Sequence, residues 1–319
     1  MSEQPGTPEE NTAPRNAAPE DAAGADGTAG ADGTAGPYRP HVALSTSSLY
    51  PLGVPETFEA AVELGYDSVE VLVTHQRMSQ LTHELQELVQ RHQLPISTIH
   101  APTLLLTQGV WGNDPWDKVD RATELAHDVG AGVVVLHPPF RWQRSYAEHF
   151  VGAVAERERL DGMRLAVENM FPWRARSKKR ERTMQAYLPG WDPLEHDYRS
   201  VTLDLSHTAT AGMDADAALA MADELGDRLA HLHLADGTAS FMDEHLVPGQ
   251  GEQPCADVLH MLGARGFGGA VVVEVNTRKM SAVGRRTALA DSLAFARQHL
   301  AAGEASRARG PVEEWPEEG

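Results

Sequence analysis

One cysteine, Cys255, is all the sequence contains. That excludes an intramolecular disulfide framework and any cysteine-based zinc finger, and it fits a reducing compartment, with Cys255 itself read as a buried bystander thiol. No run approaches the roughly 18 apolar residues of a membrane span. The N-terminus is acidic and rich in Gly, Ala and Pro instead of basic and then apolar, so no secretory signal is read and the expectation is a cytoplasmic protein with no membrane partner. Basic residues are scarce, 27 Lys and Arg against 46 Asp and Glu for a formal charge of −19, which argues against a surface that coats nucleic acid. Also missing are a Gly-x-Gly-x-x-Gly after the first apolar run and any Walker A loop; the usual nucleotide cradles are absent.

What is present reads as a soluble globular protein. Hydrophobic residues make up 41% and charged residues 23% of 319 positions, the balance of a soluble domain. Residues 1–40 carry a tandem repeat, Ala25-Asp-Gly-Thr-Ala-Gly30 and Ala31-Asp-Gly-Thr-Ala-Gly36. This stretch lacks the large apolar side chains needed to offset ordering entropy and reads as a disordered extension. Residues 304–319 read as a flexible acidic tail, leaving 41–303 as one catalytic domain.

Within that domain a short apolar run, a loop and an amphipathic segment recur eight times. The runs begin near His41, Asp67, Pro95, Gly132, Arg164, Ser200, Leu229 and Ala270. Helical segments over 55–65, 79–92, 115–130, 214–225 and 282–300 fill the gaps, several ending at Gly. Eight alternating units with no second composition block predict an α/β fold, a (β/α)8 TIM barrel. Gly263–Gly269 precedes an apolar run and reads as a tight turn into a strand.

Alternate side chains of a strand point to opposite faces, so inward positions can be separated from outward ones. Leu232 and Leu234 share one face and His231 and His233 the other; Thr202 pairs with Asp204, Ala166 with Glu168, Val135 with His137, and Val272 with Glu274, while His100 ends the third run. Six strands therefore end, at the side where barrel enzymes place their sites, in an ionisable residue facing the axis. Burying that many carboxylates calls for a compensating cation. A His/Asp/Glu set without Cys suits Mg²⁺, Mn²⁺, Co²⁺ or Zn²⁺.

The sequence from about His41 to Leu300 resembles the xylose-isomerase-like TIM-barrel superfamily, which holds sugar isomerases and epimerases and the endonuclease IV type of phosphodiesterase. The motifs are Ile99-His-Ala-Pro102, Leu136-His-Pro138, Val167-Glu-Asn169, Leu203-Asp-Leu-Ser-His207, His231-Leu-His-Leu-Ala-Asp236, Asp243-Glu-His245 with Pro248-Gly-Gln-Gly251, and Val273-Glu-Val275. The resemblance implies a core metal site of Glu168, Asp204, His233 and Glu274. It further implies that His100, His137, His207, Asp243 and His245 match the additional ligands of three-zinc phosphodiesterases.

Two activities follow as expectations. In one, a single divalent ion (Mn, Mg, Co or Zn) binds a sugar, sugar phosphate or cyclitol, Glu168 and Glu274 exchange a proton through a metal-stabilised enediolate, and His207 orients a hydroxyl. In the other, more than one zinc serves hydrolysis of abasic-site DNA or another phosphodiester. Thr103-Leu-Leu-Leu-Thr-Gln108, which has no aromatic or basic residue where DNA-contacting relatives carry an aromatic-containing segment, favours the first. So does the acidity of the chain. Against this, Arg174, Arg176, Lys178, Lys179, Arg180 and Arg182 crowd one loop. With Arg278, Arg174 and Arg176 are expected anion or substrate contacts, the alternative being a solvated surface. The tryptophans at 111, 116, 142, 173 and 191, with Phe171, are expected to stack on sugar or to anchor loops. Residues 171–197 are expected to form a lid or the contact of a homo-oligomer. A scaffold that has lost catalysis should lack a ligand, and none is missing.

Overall fold

Eight of the apolar runs become eight parallel strands. The computed structural model describes residues 41–103, 105–177 and 180–309. Its barrel strands are β1 (Val42–Ser45), β2 (Ser68–Leu72), β3 (Ile96–His100), β4 (Val133–Leu136), β5 (Arg164–Glu168), β8 (Val201–Asp204), β9 (Leu229–Leu234) and β10 (Ala270–Val273). They close in the order β1-β10-β9-β8-β5-β4-β3-β2, a TIM barrel as predicted. The helices are α1 (Val54–Leu64), α2 (Thr82–His92), α3 (Pro115–Val129), α4 (Arg144–Ala147), α5 (Phe150–Asp161), α6 (Leu205–Ala211), α7 (Ala215–Leu225), α8 (Cys255–Arg265) and α9 (Ala282–Arg309).

Local chemistry sets the helix ends. Asp114 caps α3 by accepting from the Trp116 amide at 2.8 Å, Pro115 begins it, and Gly130 closes it in the left-handed region at φ 77°, a conformation glycine adopts without strain. The same logic places Asp214 before α7 and Gly266 after α8. The turn expected at 263–269 therefore joins α8 to β10.

Strand alternation divides the core into two layers. Val69, Val71, Val134, Leu136, Leu165, Val167, Leu203, Leu232 and Val273 face the helices and pack with Phe58, Leu85, Val119 and Leu259. Small side chains fill the barrel: Val133, Val135, Ala166 and Ala230 form one interior cluster, and Ala43, Ala270 and Val272 another. Their smallness leaves room above them for the long polar side chains at the strand ends.

Two regions depart from the expected outline. The stretch 171–197 is not a plain loop: β6 (Trp173–Ser177) and β7 (Arg180–Met184) pair as an antiparallel hairpin. Its base rests on an aromatic cluster of Phe140, Met170, Ala186 and Tyr187, joined by Phe171, Trp173 and Trp191. The last helix runs on to Arg309, into the stretch assigned to a flexible tail, because Gly303 and Gly263 let α9 and α8 approach backbone to backbone. Residues 1–40 and 310–319 lie outside the described residues, as do Lys178 and Lys179. No described helix is long and apolar enough to cross a membrane.

Candidate metal centre

The inward strand ends meet in one buried cluster. His233 Nδ1 lies 2.9 Å from Glu168 Oε1, 3.0 Å from Glu274 Oε2 and 3.6 Å from Asp204 Oδ2, so the four residues expected to form the core site converge from β5, β8, β9 and the end of β10. Glu168 continues the cluster on its other side. Its Oε2 lies 2.7 Å from His137 Nε2 and 3.5 Å from His100 Nε2. His207, Asp243 and His245 close the third edge, with His245 Nε2 3.0 Å from Asp243 Oδ1 and His207 Nε2 3.6 Å from Asp243 Oδ2. Four groups with ligand atoms within metal-binding reach of one another thus share members: His100, His137 and Glu168; Glu168, Asp204, His233 and Glu274; Asp204, His207 and His245; and Glu70, His231 and His233.

The sequence motifs are the devices that aim these atoms. Asp204 is the N-cap of α6, its Oδ1 accepting from the His207 amide at 2.9 Å, and this turns Oδ2 into the cluster. Asn169 clamps the same residue through both backbone groups, accepting from the Asp204 amide at 2.6 Å and donating to the Asp204 carbonyl at 3.0 Å. Three of the histidines spend one ring nitrogen on a backbone carbonyl. Nδ1 donates to the Ala101 carbonyl in His100, the Asn169 carbonyl in His207 and the Glu274 carbonyl in His245, at 3.2, 2.9 and 2.7 Å. Nε2 of these three rings is thereby left facing carboxylates.

The loop bearing Asp243 and His245 hangs on Asp236. This buried carboxylate accepts from the amides of Gly237, Gln253 and Gly249 at 2.8, 3.0 and 2.9 Å. Gly249 sits at φ 85°, and a Cβ on Gly251 would fall 2.5 Å from the Gly237 carbonyl oxygen. Both glycines of Pro248-Gly-Gln-Gly251 are therefore required by backbone space and conformation. Gly251→Ala is expected to cost about 1–3 kcal/mol of stability, the usual penalty of overpacking; a thermal melt matching that of the unsubstituted chain would refute it.

The donors fit a cation better than they fit one another. Glu168 Oε2 and Asp204 Oδ2 are buried and have no hydrogen-bond partner among the described residues. The short Glu168–His137 contact lacks hydrogen-bond geometry, which is how two ligands look when aimed at a common point instead of at each other. Burial alone would push the Glu168 carboxyl up, yet His137, His233 and His100 hold it well below the usual range. Burial likewise opposes protonation of His207, but Asp204, Asp243 and Glu168 raise it to about 10. Such opposed shifts mark charges that need a counter-ion. Mixed imidazole and carboxylate donors suit a divalent metal.

The remaining expected contacts lie outside this cluster. Arg174 donates to the Ala211 carbonyl at 2.9 Å and covers the Phe241 ring at 3.8 Å, strapping the hairpin to the neighbouring loops. Arg176, Arg180 and Arg182 are described only as backbone positions of that hairpin. Arg278 is exposed, its guanidinium 5.2 Å from the Tyr50 ring centroid. Trp116 packs on Tyr146 and Phe150, whereas Trp142 is exposed at the rim and stacks on Phe140. Two contacts were not anticipated from the sequence. Ser47 donates to Glu274 Oε1 at 2.6 Å, and Glu70 lies beneath His233, 3.1 Å from its Nε2. The second was readable, since Val69, Val71 and Val73 turn outward and leave Glu70 inward.

The xylose isomerase-like TIM barrel family model matches residues 58–299. An uncharacterised protein of Mycobacterium tuberculosis is 47% identical over 275 residues, covering 81% of this chain and 97% of its own. Fructoselysine 3-epimerase of Escherichia coli O157:H7 is 24% identical over 251 residues, covering 72% of this chain and 88% of its own. Among solved structures, the IOLI protein with a bound zinc atom superposes with a TM-score of 0.57 at 16% identity, covering 82% of this chain and 98% of that one. By fold, motif and extent of match, the chain belongs to the xylose isomerase-like TIM-barrel family.

Proposed function

We propose that this protein is a divalent-metal-dependent isomerase or epimerase of a sugar, sugar phosphate or cyclitol. The observation that carries the reading is the convergence of Glu168 and Glu274 on one cluster with Asp204 and His233. The two glutamates stand on β5 and at the end of β10, on either side of the β8–β9 pair that supplies Asp204 and His233. A divalent ion held by these four residues would supply Lewis acidity to the carbonyl and hydroxyl oxygens of a substrate. One glutamate then takes a proton from the carbon beside the carbonyl, and the other returns a proton on the opposite face. The Ser47 hydroxyl fixes the Glu274 carboxylate by its hydrogen bond to Oε1. His137 and His100 flank Glu168 Oε2 and offer a path for its proton. A relative named fructoselysine 3-epimerase supports the epimerase side of this reading.

A second reading, phosphodiester hydrolysis, is favoured by one specific observation. The groups His100/His137/Glu168 and Asp204/His207/His245 each offer a further cation position contiguous with the first. Additional ions there would supply charge for in-line displacement at phosphorus.

Elemental analysis of the purified protein, paired with exchange of a substrate C–H for solvent deuterium, separates the two. About one Mn, Co, Mg or Zn per chain with deuterium incorporated into a ketose or cyclitol supports the isomerase. Two or three zinc ions with cleavage of abasic-site DNA supports the hydrolase. A chain that retains no metal and binds none on titration sinks both readings.

A further inference from the structure

We infer that Glu70 is a positioning residue that orients His233 from beneath and so sets the cation affinity of the centre; this rests on the metal reading above. Glu70, His231 and His233 are fully inaccessible to solvent. Glu70 reaches across the barrel interior from β2 to β9, placing Oε1 and Oε2 3.1 and 3.3 Å from His233 Nε2. Its Oε2 also lies 3.0 Å from His231 Nε2. A carboxylate buried this deeply is costly unless fixed partners surround it, and here the partners are two imidazoles.

The consequence for His233 is directional. A proton held on Nε2 by Glu70 leaves the lone pair on Nδ1, the atom that faces Glu168, Glu274 and Asp204. His100, His207 and His245 have the opposite arrangement, with Nδ1 anchored on neutral backbone carbonyls. His233 thus differs from those three rings in having a charged acceptor behind it. A carboxylate in that place fixes the tautomer and raises the basicity of the ligating nitrogen. His231 Nε2 stands beside the second oxygen of Glu70 without hydrogen-bond geometry, so the inward His231/His233 pair has a division of labour: one ring faces Glu168, Glu274 and Asp204, the other only flanks the Glu70 carboxylate.

The test is a Co²⁺ titration of metal-free protein followed by visible absorption, for the unsubstituted chain, Glu70→Gln and His231→Asn. Glu70→Gln keeps the volume and an acceptor but removes the charge; it is expected to bind Co²⁺ about 10–100-fold more weakly and to shift the Co²⁺ absorption bands, with the far-UV circular dichroism unchanged. His231→Asn is expected at the weak end, about tenfold, and it decides the matter should Glu70→Gln fail to fold. Unchanged affinity and bands in the folded variants, with the unsubstituted chain binding Co²⁺, overturn the role of Glu70 alone. An unsubstituted chain that binds no Co²⁺ overturns the metal reading, and this inference with it.

Discussion

Glu168→Gln is expected to lower turnover by about 10²–10⁴, the range attached to a positioned acid or base, and to lower the metal content of the centre as well. The double effect follows from geometry. Oε1 of Glu168 faces His233 and His207 at 2.9 and 3.5 Å, and Oε2 faces His137 and His100 at 2.7 and 3.5 Å, so one carboxylate serves two ligand groups. An amide of the same shape cannot do this. It removes the negative charge and points an N–H₂ at a nitrogen or a cation on whichever side it turns. Glu274→Gln supplies the contrast: it is expected to lose comparable turnover while the His100/His137/Glu168 group stays intact. Metal analysis beside the deuterium-exchange assay reads both variants. Unimpaired exchange in Glu168→Gln would remove Glu168 from the chemistry, and full metal content in it would remove the carboxylate from the centre.

Much of this arrangement is legible in the amino-acid sequence. The eight β/α units appear in the apolar runs because each buried strand is continuous and each helix ends at a cap or a glycine. The inward set could be separated because period-two alternation puts Ala166 with Glu168 and Val272 with Glu274, and the interior clusters keep those partners apart from the outer layer. Glu70 escaped for a positional reason. It lies in the middle of β2, while attention to strand ends finds residues that reach the mouth, not those that support them from below. The hairpin β6–β7 escaped because charge hides its pattern: arginine at 174, 176, 180 and 182 obscures any apolar alternation that would mark strands. Distances were beyond reach altogether. A sequence can name candidate ligands, but the sharing of Glu168 and Asp204 between groups depends on side-chain reach across the barrel.

Removing divalent ions is expected to make stability depend on pH, and the sign follows from the histidines. In the metal-free protein burial opposes protonation of His207, but Asp204 and Asp243 outweigh it and raise it from 6.5 to about 10. His233 and His245 are raised as well, His233 by Glu274, Glu70 and Glu168 and His245 by Asp243 and Asp204, against burial. A group whose folded pKa lies above its unfolded one contributes stability in full below the unfolded value, about 6.5, and loses it as pH climbs through the folded value. The metal-free chain should therefore melt at progressively lower temperature from pH 6.5 to 10. The loaded protein escapes this loss, because ligation needs neutral imidazoles and releases protons, so cation affinity rises with pH as the metal-free chain weakens. Free metal at about 100 times its Kd adds about 2.7 kcal/mol. For a domain of this size about 1 kcal/mol moves Tm by about 2–4 °C, so the gap between chelator-treated and metal-loaded melts should be about 5–11 °C at that metal excess and should widen from pH 6.5 to 9 as cation affinity rises. Parallel melts in chelator and in Mn²⁺ or Zn²⁺ measure it. A metal-free Tm that holds level or rises over that interval would mean that the buried imidazoles carry no charge in the empty centre, and the carboxylates around them would then require the cation for folding itself.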